Sequence, residues 1–174
     1  MSRAIIISGN LAQDHEFIYP YYRLLEEGFK VDVCLLEGKP VQGIAGTKIP
    51  PNKDQEVKKI ENISVNDYQI LILPGGVKAM EKVRQDKKII NFISEFNNQK
   101  KVIACICSGA QLLISAKVVK GRKIAGYYSM KDDLVNAGAI YTDLPAVVDK
   151  NIVTTAHYKD MGPWMKAVIE KLKQ

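Results

Sequence analysis

At 174 residues, with 47% apolar and 25% charged residues, the chain has the make-up of one globular domain spanning residues 1–174, long enough to bury a core without disulfide or metal staples. The net charge of +6 comes from 25 Lys and Arg against 19 Asp and Glu. The basic residues fall in scattered pairs such as Lys58 with Lys59 and Lys87 with Lys88, which reads as solvated surface and argues against a nucleic-acid partner. No apolar run reaches membrane-spanning length and Met1 to Asn10 reads as a strand, so no membrane partner is expected and the cytoplasm is the default compartment.

Ala4 to Ser8, AIIIS, is expected to form a fully buried strand ending at Gly9 and Asn10. Phe17, Tyr21, Leu24 and Leu25 then recur at helical spacing, which predicts a helix over Glu16 to Glu27, with Pro20 as a kink or in its first full turn and Gly28 as its C-cap. Lys30 to Leu36 reads as a second buried strand. Gly38 to Pro51, with three glycines and three prolines, predicts a hairpin-like excursion outside the core, and Asp54 to Asp67 is polar and ambiguous, with short helical turns as one reading. Gln69 to Leu73 is a third buried strand that runs straight into Pro74, Gly75 and Gly76.

One or two helices are predicted over Glu81 to Asn97, with Val83, Ile89, Ile90, Ile93 and Phe96 inward. Val102 to Ile106 is a strand that passes without a loop into the helix-like Leu112 to Ile114. Short strands follow at Lys123 to Ala125, Ala139 to Thr142, Ala146 to Val148 and Ile152 to Thr155. Ser129 is read as the N-cap of a helix through Asn136, and an amphipathic helix spans Asp160 to Lys173. Buried strands alternating with helices predict an α/β sandwich whose mostly parallel sheet is covered on both faces. Ligands bind such sheets beyond the carboxyl ends of the strands, which selects Gly9 to Gln13, Pro74 to Gly76, Cys107 to Gly109 and Thr155 to Tyr158.

The junction of strand and helix at Cys107 carries the chemistry. Cys105 and Gly109 flank it at two positions on either side, giving small-x-nucleophile-x-Gly, the pattern of a nucleophile elbow with cysteine in place of serine. Cys34 and Cys105 read as small buried strand residues. No spacing among the three cysteines and two histidines fits a zinc site, and no metal or other cofactor is implied. A free thiol has a pKa of about 8.5, and lowering it by about two units takes roughly 2.7 kcal/mol. A helix N-terminus supplies roughly 0.3–1 kcal/mol and about 2 at best, so a base or charge partner is required. His157, after the last buried strand, is the candidate base, whereas His15, between Asp14 and Glu16, reads as an exposed first-turn residue. The N–H groups of Gly76 and Ser108 are candidate donors to an oxyanion.

Five segments, Asp14 to Val31, ILPGG (Ile72 to Gly76), ICSGAQLLISA (Ile106 to Ala116), KGRKIAGY (Lys120 to Tyr127) and KDDLVNAGA (Lys131 to Ala139), resemble the PfpI-type intracellular cysteine proteases of the class I glutamine amidotransferase-like superfamily. The resemblance covers nearly the whole chain. It implies a flavodoxin-like three-layer sandwich that assembles with itself as a homodimer and often a hexamer. It implies Cys107 as nucleophile, Gly76 and Ser108 as backbone oxyanion donors, and Glu81 as the acid lent by a neighbouring subunit. Two positions depart from the family pattern: Ser108 stands where the protease-like members have histidine, and Gln13 is read at the position of the glutamate that contacts the cysteine. The implied activity is a cysteine-dependent hydrolase or lyase of protease, amidase or glyoxalase/deglycase type on a small-molecule or peptide substrate. The alternative is a non-catalytic stress-response protein with a redox-sensing Cys107 or chaperone activity.

Overall fold

A computed structural model describes residues 2–174. The chain runs β1 (Arg3–Ser8), α1 (Asp14–Glu26), β2 (Lys30–Leu35), β3 (Val41–Gln42), β4 (Lys48–Ile49), β5 (Val57–Lys58), β6 (Ile70–Leu73), α2 (Val77–Val83) and α3 (Lys87–Asn98). It continues through β7 (Val102–Ile106), α4 (Ala110–Ser115), β8 (Lys123–Ile124), α5 (Lys131–Asn136), β9 (Ile140–Tyr141), β10 (Val147–Asp149), β11 (Ile152–Thr155) and α6 (Met161–Leu172). The main sheet has seven strands in the order β10-β11-β7-β6-β1-β2-β5. All neighbours pair in parallel except β10, which is antiparallel at one edge.

The apolar runs explain the interior strands. Ala4 to Ile7, Ile70 to Leu73 and Ile103 to Ile106 are each fully buried, as a parallel sheet covered on both faces requires. From β1 the chain crosses one way to β2, and from β6 it crosses the other way to β7. Right-handed crossovers therefore place α1 on one face of the sheet and α2 with α3 on the other. Helix α6 packs beside α1 and α4 beside α2 and α3, which completes the three layers. Trp164 of α6 is fully buried and its indole N–H donates to the carbonyl of Val153 at 3.1 Å, tying that layer to β11. The reversal of direction between β1 and β6 is the switch point at which open α/β sheets leave a crevice.

Several expectations are corrected locally. The excursion after β2 does contain an antiparallel pair, Val41 opposite Ile49, yet Ile49 is fully buried and belongs to the core. The polar stretch before β6 contributes β5, which extends the main sheet at its edge. Of the one or two helices expected after the PGG turn there are two, the first beginning earlier, at Val77, and Asp86 caps the second, its carboxylate accepting the N–H groups of Lys88 at 2.8 Å and Ile89 at 3.2 Å. Ser129 makes no capping bond to α5. Strands β8 and β9 form a separate parallel pair outside the main sheet. Among the described residues no helix is long and apolar enough to cross a membrane.

Candidate active site

Cys107 lies one residue beyond β7, at the start of a single 3-10 turn that leads into α4. Its φ of +58° is the left-handed backbone of a nucleophile elbow, which an L-residue adopts at a cost when the surrounding structure holds it there. The turn is crowded: a Cβ on Gly109 would come within 2.5 Å of the carbonyl oxygen of Leu73 and 2.9 Å of that of Pro74. Cys107 is 9% exposed at the floor of a cavity of about 380 Å³ lined by Gln13, Glu16, Gly76, Ser108, Tyr127 and His157 among others.

Glu16 stands against the cysteine. It is fully buried, and its Oε2 accepts the N–H of Gly75 at 2.8 Å. A Cβ on Gly75 would collide with that oxygen and lie 2.8 Å from the Cβ of Cys107, so only glycine lets the two side chains meet. The other oxygen, Oε1, is buried with no partner at full hydrogen-bond geometry. Burial pushes the Glu16 carboxyl from its ordinary 4.5 up to about 7, against the opposing pull of the Gly75 N–H and the Cys107 thiol. Burial and the Glu16 charge push the Cys107 thiol up to about 12, and the hydroxyl and N–H of Ser108 offset only part of that. The Ser108 hydroxyl is 3.8 Å from the sulfur.

The acid beside the cysteine is therefore Glu16, which corrects the assignment of that position to Gln13. Gln13 lines the same cavity, but its side chain is the N-cap of α1: Oε1 accepts the N–H groups of His15 at 2.7 Å and Glu16 at 3.4 Å. Glu16 was legible in principle. It shares the inward face of α1 with Pro20 and Leu24 at four-residue spacing, beside Phe17 and Tyr21, and a charged residue on a buried face calls for a partner.

The other predicted residues divide. Gly76 and Ser108 both line the cavity, and since Gly75 gives its N–H to Glu16, the next N–H along the turn belongs to Gly76. His157 lines the cavity too, but its Nδ1 accepts the N–H of Lys159 at 3.1 Å, so the neutral ring carries its hydrogen on Nε2. Among the described residues no hydrogen bond joins it to Cys107. Its ring sits in an aromatic array, 4.0 Å from that of Tyr158 and 6.3 Å from those of Tyr127 and Tyr128, and Tyr158 stacks in turn on His15 at 5.3 Å. Glu81 is exposed on α2 and lines a neighbouring groove of about 500 Å³ that shares Val77 and Ser129 with the cavity. Cys105 is fully buried under the turn, and burial raises its thiol well above the ordinary range. Among the described residues no cluster of His, Cys, Asp and Glu is arranged to hold a metal ion.

A flavodoxin-like parallel sheet with a cysteine on a nucleophile elbow and a buried carboxyl beside it defines the class of protein. Residues 2–171 match the DJ-1/PfpI family, and the chain belongs to that family. It is 35% identical over 171 residues to Deglycase PfpI of Pyrococcus furiosus, covering 98% of this chain and 99% of that one. It is 34% identical over 155 residues to General stress protein 18 of Bacillus subtilis, covering 87% and 86%. Among solved structures, a two-domain protein from Anabaena variabilis with DJ-1/ThiJ/PfpI-like and ferritin-like domains superposes with a TM-score of 0.91 at 27% identity, over 99% of this chain and 48% of that one.

Proposed function

We propose that the protein is a cysteine-dependent lyase or hydrolase of the deglycase type, acting on α-oxoaldehydes and on the adducts they form with thiols and amines. The observation that carries this reading is the pairing of Glu16 with Cys107 in a cavity of about 380 Å³. A carboxyl that titrates near 7 is matched to moving protons at neutral pH, which supplies the base that the elbow alone lacks. A thiol that is 9% exposed is open to a slender carbonyl group more readily than to a polypeptide main chain, which favours small adducts over peptide bonds.

For a hemithioacetal of methylglyoxal the chemistry balances without an outside oxidant. Glu16 takes the Cys107 proton as the sulfur attacks the adduct carbon, and gives it to the departing thiol as the old C–S bond breaks. The carboxylate then takes the proton from that carbon and returns it to the adjacent carbonyl carbon, while the hydroxyl proton passes to the former carbonyl oxygen, converting the enzyme hemithioacetal to a lactoyl thioester. Water hydrolyses the thioester, releasing lactate and restoring the thiol. Through these steps the N–H groups of Gly76 and Ser108 would hold the negative oxygen. The sum is adduct plus water to thiol plus lactate.

The test is to incubate the protein with the methylglyoxal adduct of N-acetylcysteine and measure lactate and free thiol. Equal amounts of both are expected from the wild type and none above background from Cys107→Ser. Undiminished lactate from Cys107→Ser would refute the reading. The resemblance to a general stress protein supports a second reading, an oxidant-sensing Cys107. It ranks lower because a thiol kept protonated by burial oxidises slowly.

A further inference from the structure

Gln13 belongs to a closed ring of contacts around Gly75. The N–H of Gln13 donates to the carbonyl of Gly75 at 3.1 Å, the N–H of Gly75 donates to Glu16 Oε2 at 2.8 Å, and the N–H of Glu16 donates back to Gln13 Oε1 at 3.4 Å. The remaining group of the amide, Nε2, is 3.3 Å from Nδ1 of His15. The loop after β1, the turn after β6 and the first turn of α1 are thus locked to one another at the point where Glu16 meets Cys107.

The charge of residue 13 matters as much as its reach. A carboxylate would accept the same two N–H groups, because aspartate and glutamate oxygens serve at helix starts as amide oxygens do. It would also place a second negative charge within one helical turn of a buried carboxyl. The titratable groups that face Glu16 from the packed elements are Cys107 at the elbow and Cys105 on β7, neither of them a cation. On its own helix, His15 is exposed, and Asp14 is spoken for by the N–H groups of Ala45 at 2.7 Å and Thr47 at 2.9 Å. Burial acts to raise the Asp14 carboxyl, but those bonds outweigh it and keep it ionised. One anion is already close, and a carboxylate at residue 13 would add another.

We propose that Gln13 is a positioning residue for the Glu16–Cys107 pair: its amide fixes the turn that carries Glu16, and its lack of charge sets the pH at which the pair gives up its first proton. The proposal rests on the reading of Cys107 as nucleophile and Glu16 as its base. It separates this chain from one with an acid at the same cap, where the same geometry would operate at higher pH.

The experiment is the rate of Cys107 alkylation by iodoacetamide as a function of pH, followed by mass spectrometry of the Cys107 peptide in wild type, Gln13→Glu and Gln13→Ala. The wild-type profile should show a step near pH 7 from Glu16. Gln13→Glu keeps the cap, should melt with the wild type, and should move that step up by about one pH unit, the order expected of a like charge in a partly buried site. Gln13→Ala keeps neutrality but loses the cap, and should lose the step. A Gln13→Glu profile that overlays the wild type, a Gln13→Ala profile that keeps the step at full size, or a wild type without it would each overturn the proposal. Should Gln13→Ala fail to fold, Gln13→Glu decides alone. No substrate is present, so a wild type with the step that makes no lactate would count against the deglycase reading and leave the role of Gln13 intact.

Discussion

The two walls of the Cys107 cavity are built differently. On the wall formed by α1 and the turn after β6, Glu16 is fully buried, bonded to backbone and coupled to the thiol. On the wall formed by the segment after β11, His157 is half-buried and stacked among tyrosines, two of which, Tyr127 and Tyr158, also line the cavity and are 37% and 42% exposed. A low-dielectric wall shifts ionisation and handles protons, whereas an aromatic wall open to solvent offers flat apolar surface with polar edges. Under the proposed function, the difference would give chemistry to the Glu16 side and recognition to the His157 side.

The contrast can be broken most severely from the buried side. Cys107→Ser should abolish lactate formation. Gly75→Ala should do nearly the same, since the added methyl meets both Glu16 and Cys107, and a drop in melting temperature should accompany it. Glu16→Gln keeps the shape and the Gly75 bond but cannot accept a proton, and a loss of about 10²–10⁴ in kcat is expected.

A stability measurement sharpens the same side. Folding raises the Glu16 carboxyl from 4.5 to about 7, so over that window the native state keeps a proton that the unfolded chain releases. Its contribution is complete below pH 4.5 and is lost as pH rises through 7, by about 3 kcal/mol. Asp14 and Asp149, both held below the ordinary range, act in the opposite sense at lower pH. The quantity to measure is therefore the difference in unfolding free energy between wild type and Glu16→Gln, which should move against the wild type between pH 4.5 and 7. The smallest effect is expected from the aromatic wall: His157→Ala should raise KM several-fold while changing kcat little. A kcat loss as large as that of Glu16→Gln would return His157 to the role of base.

The strands and the elbow were legible because their cause is local. Continuous apolar runs such as ILIL and VIACI bury on both faces of a parallel sheet, and small residues around Cys107 are what a strand-to-helix turn demands. Strand β5 was not legible, since two polar-flanked residues become a strand only by pairing with Val33 and Cys34 far along the chain. The position of the carboxyl was hidden for a related reason. Gln13 and Glu16 are three residues apart on one helix start, and which of them reaches Cys107 is fixed by the Gly75 turn some sixty residues later. His157 lines the cavity because it follows a strand end, but the Lys159 N–H that occupies its Nδ1 depends on the turn that follows β11.

Everything proposed for the site depends on Glu16, buried against Cys107, titrating near neutral pH. Carbon-13 NMR of protein labelled at the glutamate side-chain carboxyl, with Glu16→Gln to assign the signal, reads this directly. A midpoint near pH 7 is expected in the wild type, moving higher in Cys107→Ala, where the thiol no longer steadies the carboxylate. A midpoint near 4.5 in both proteins would contradict it.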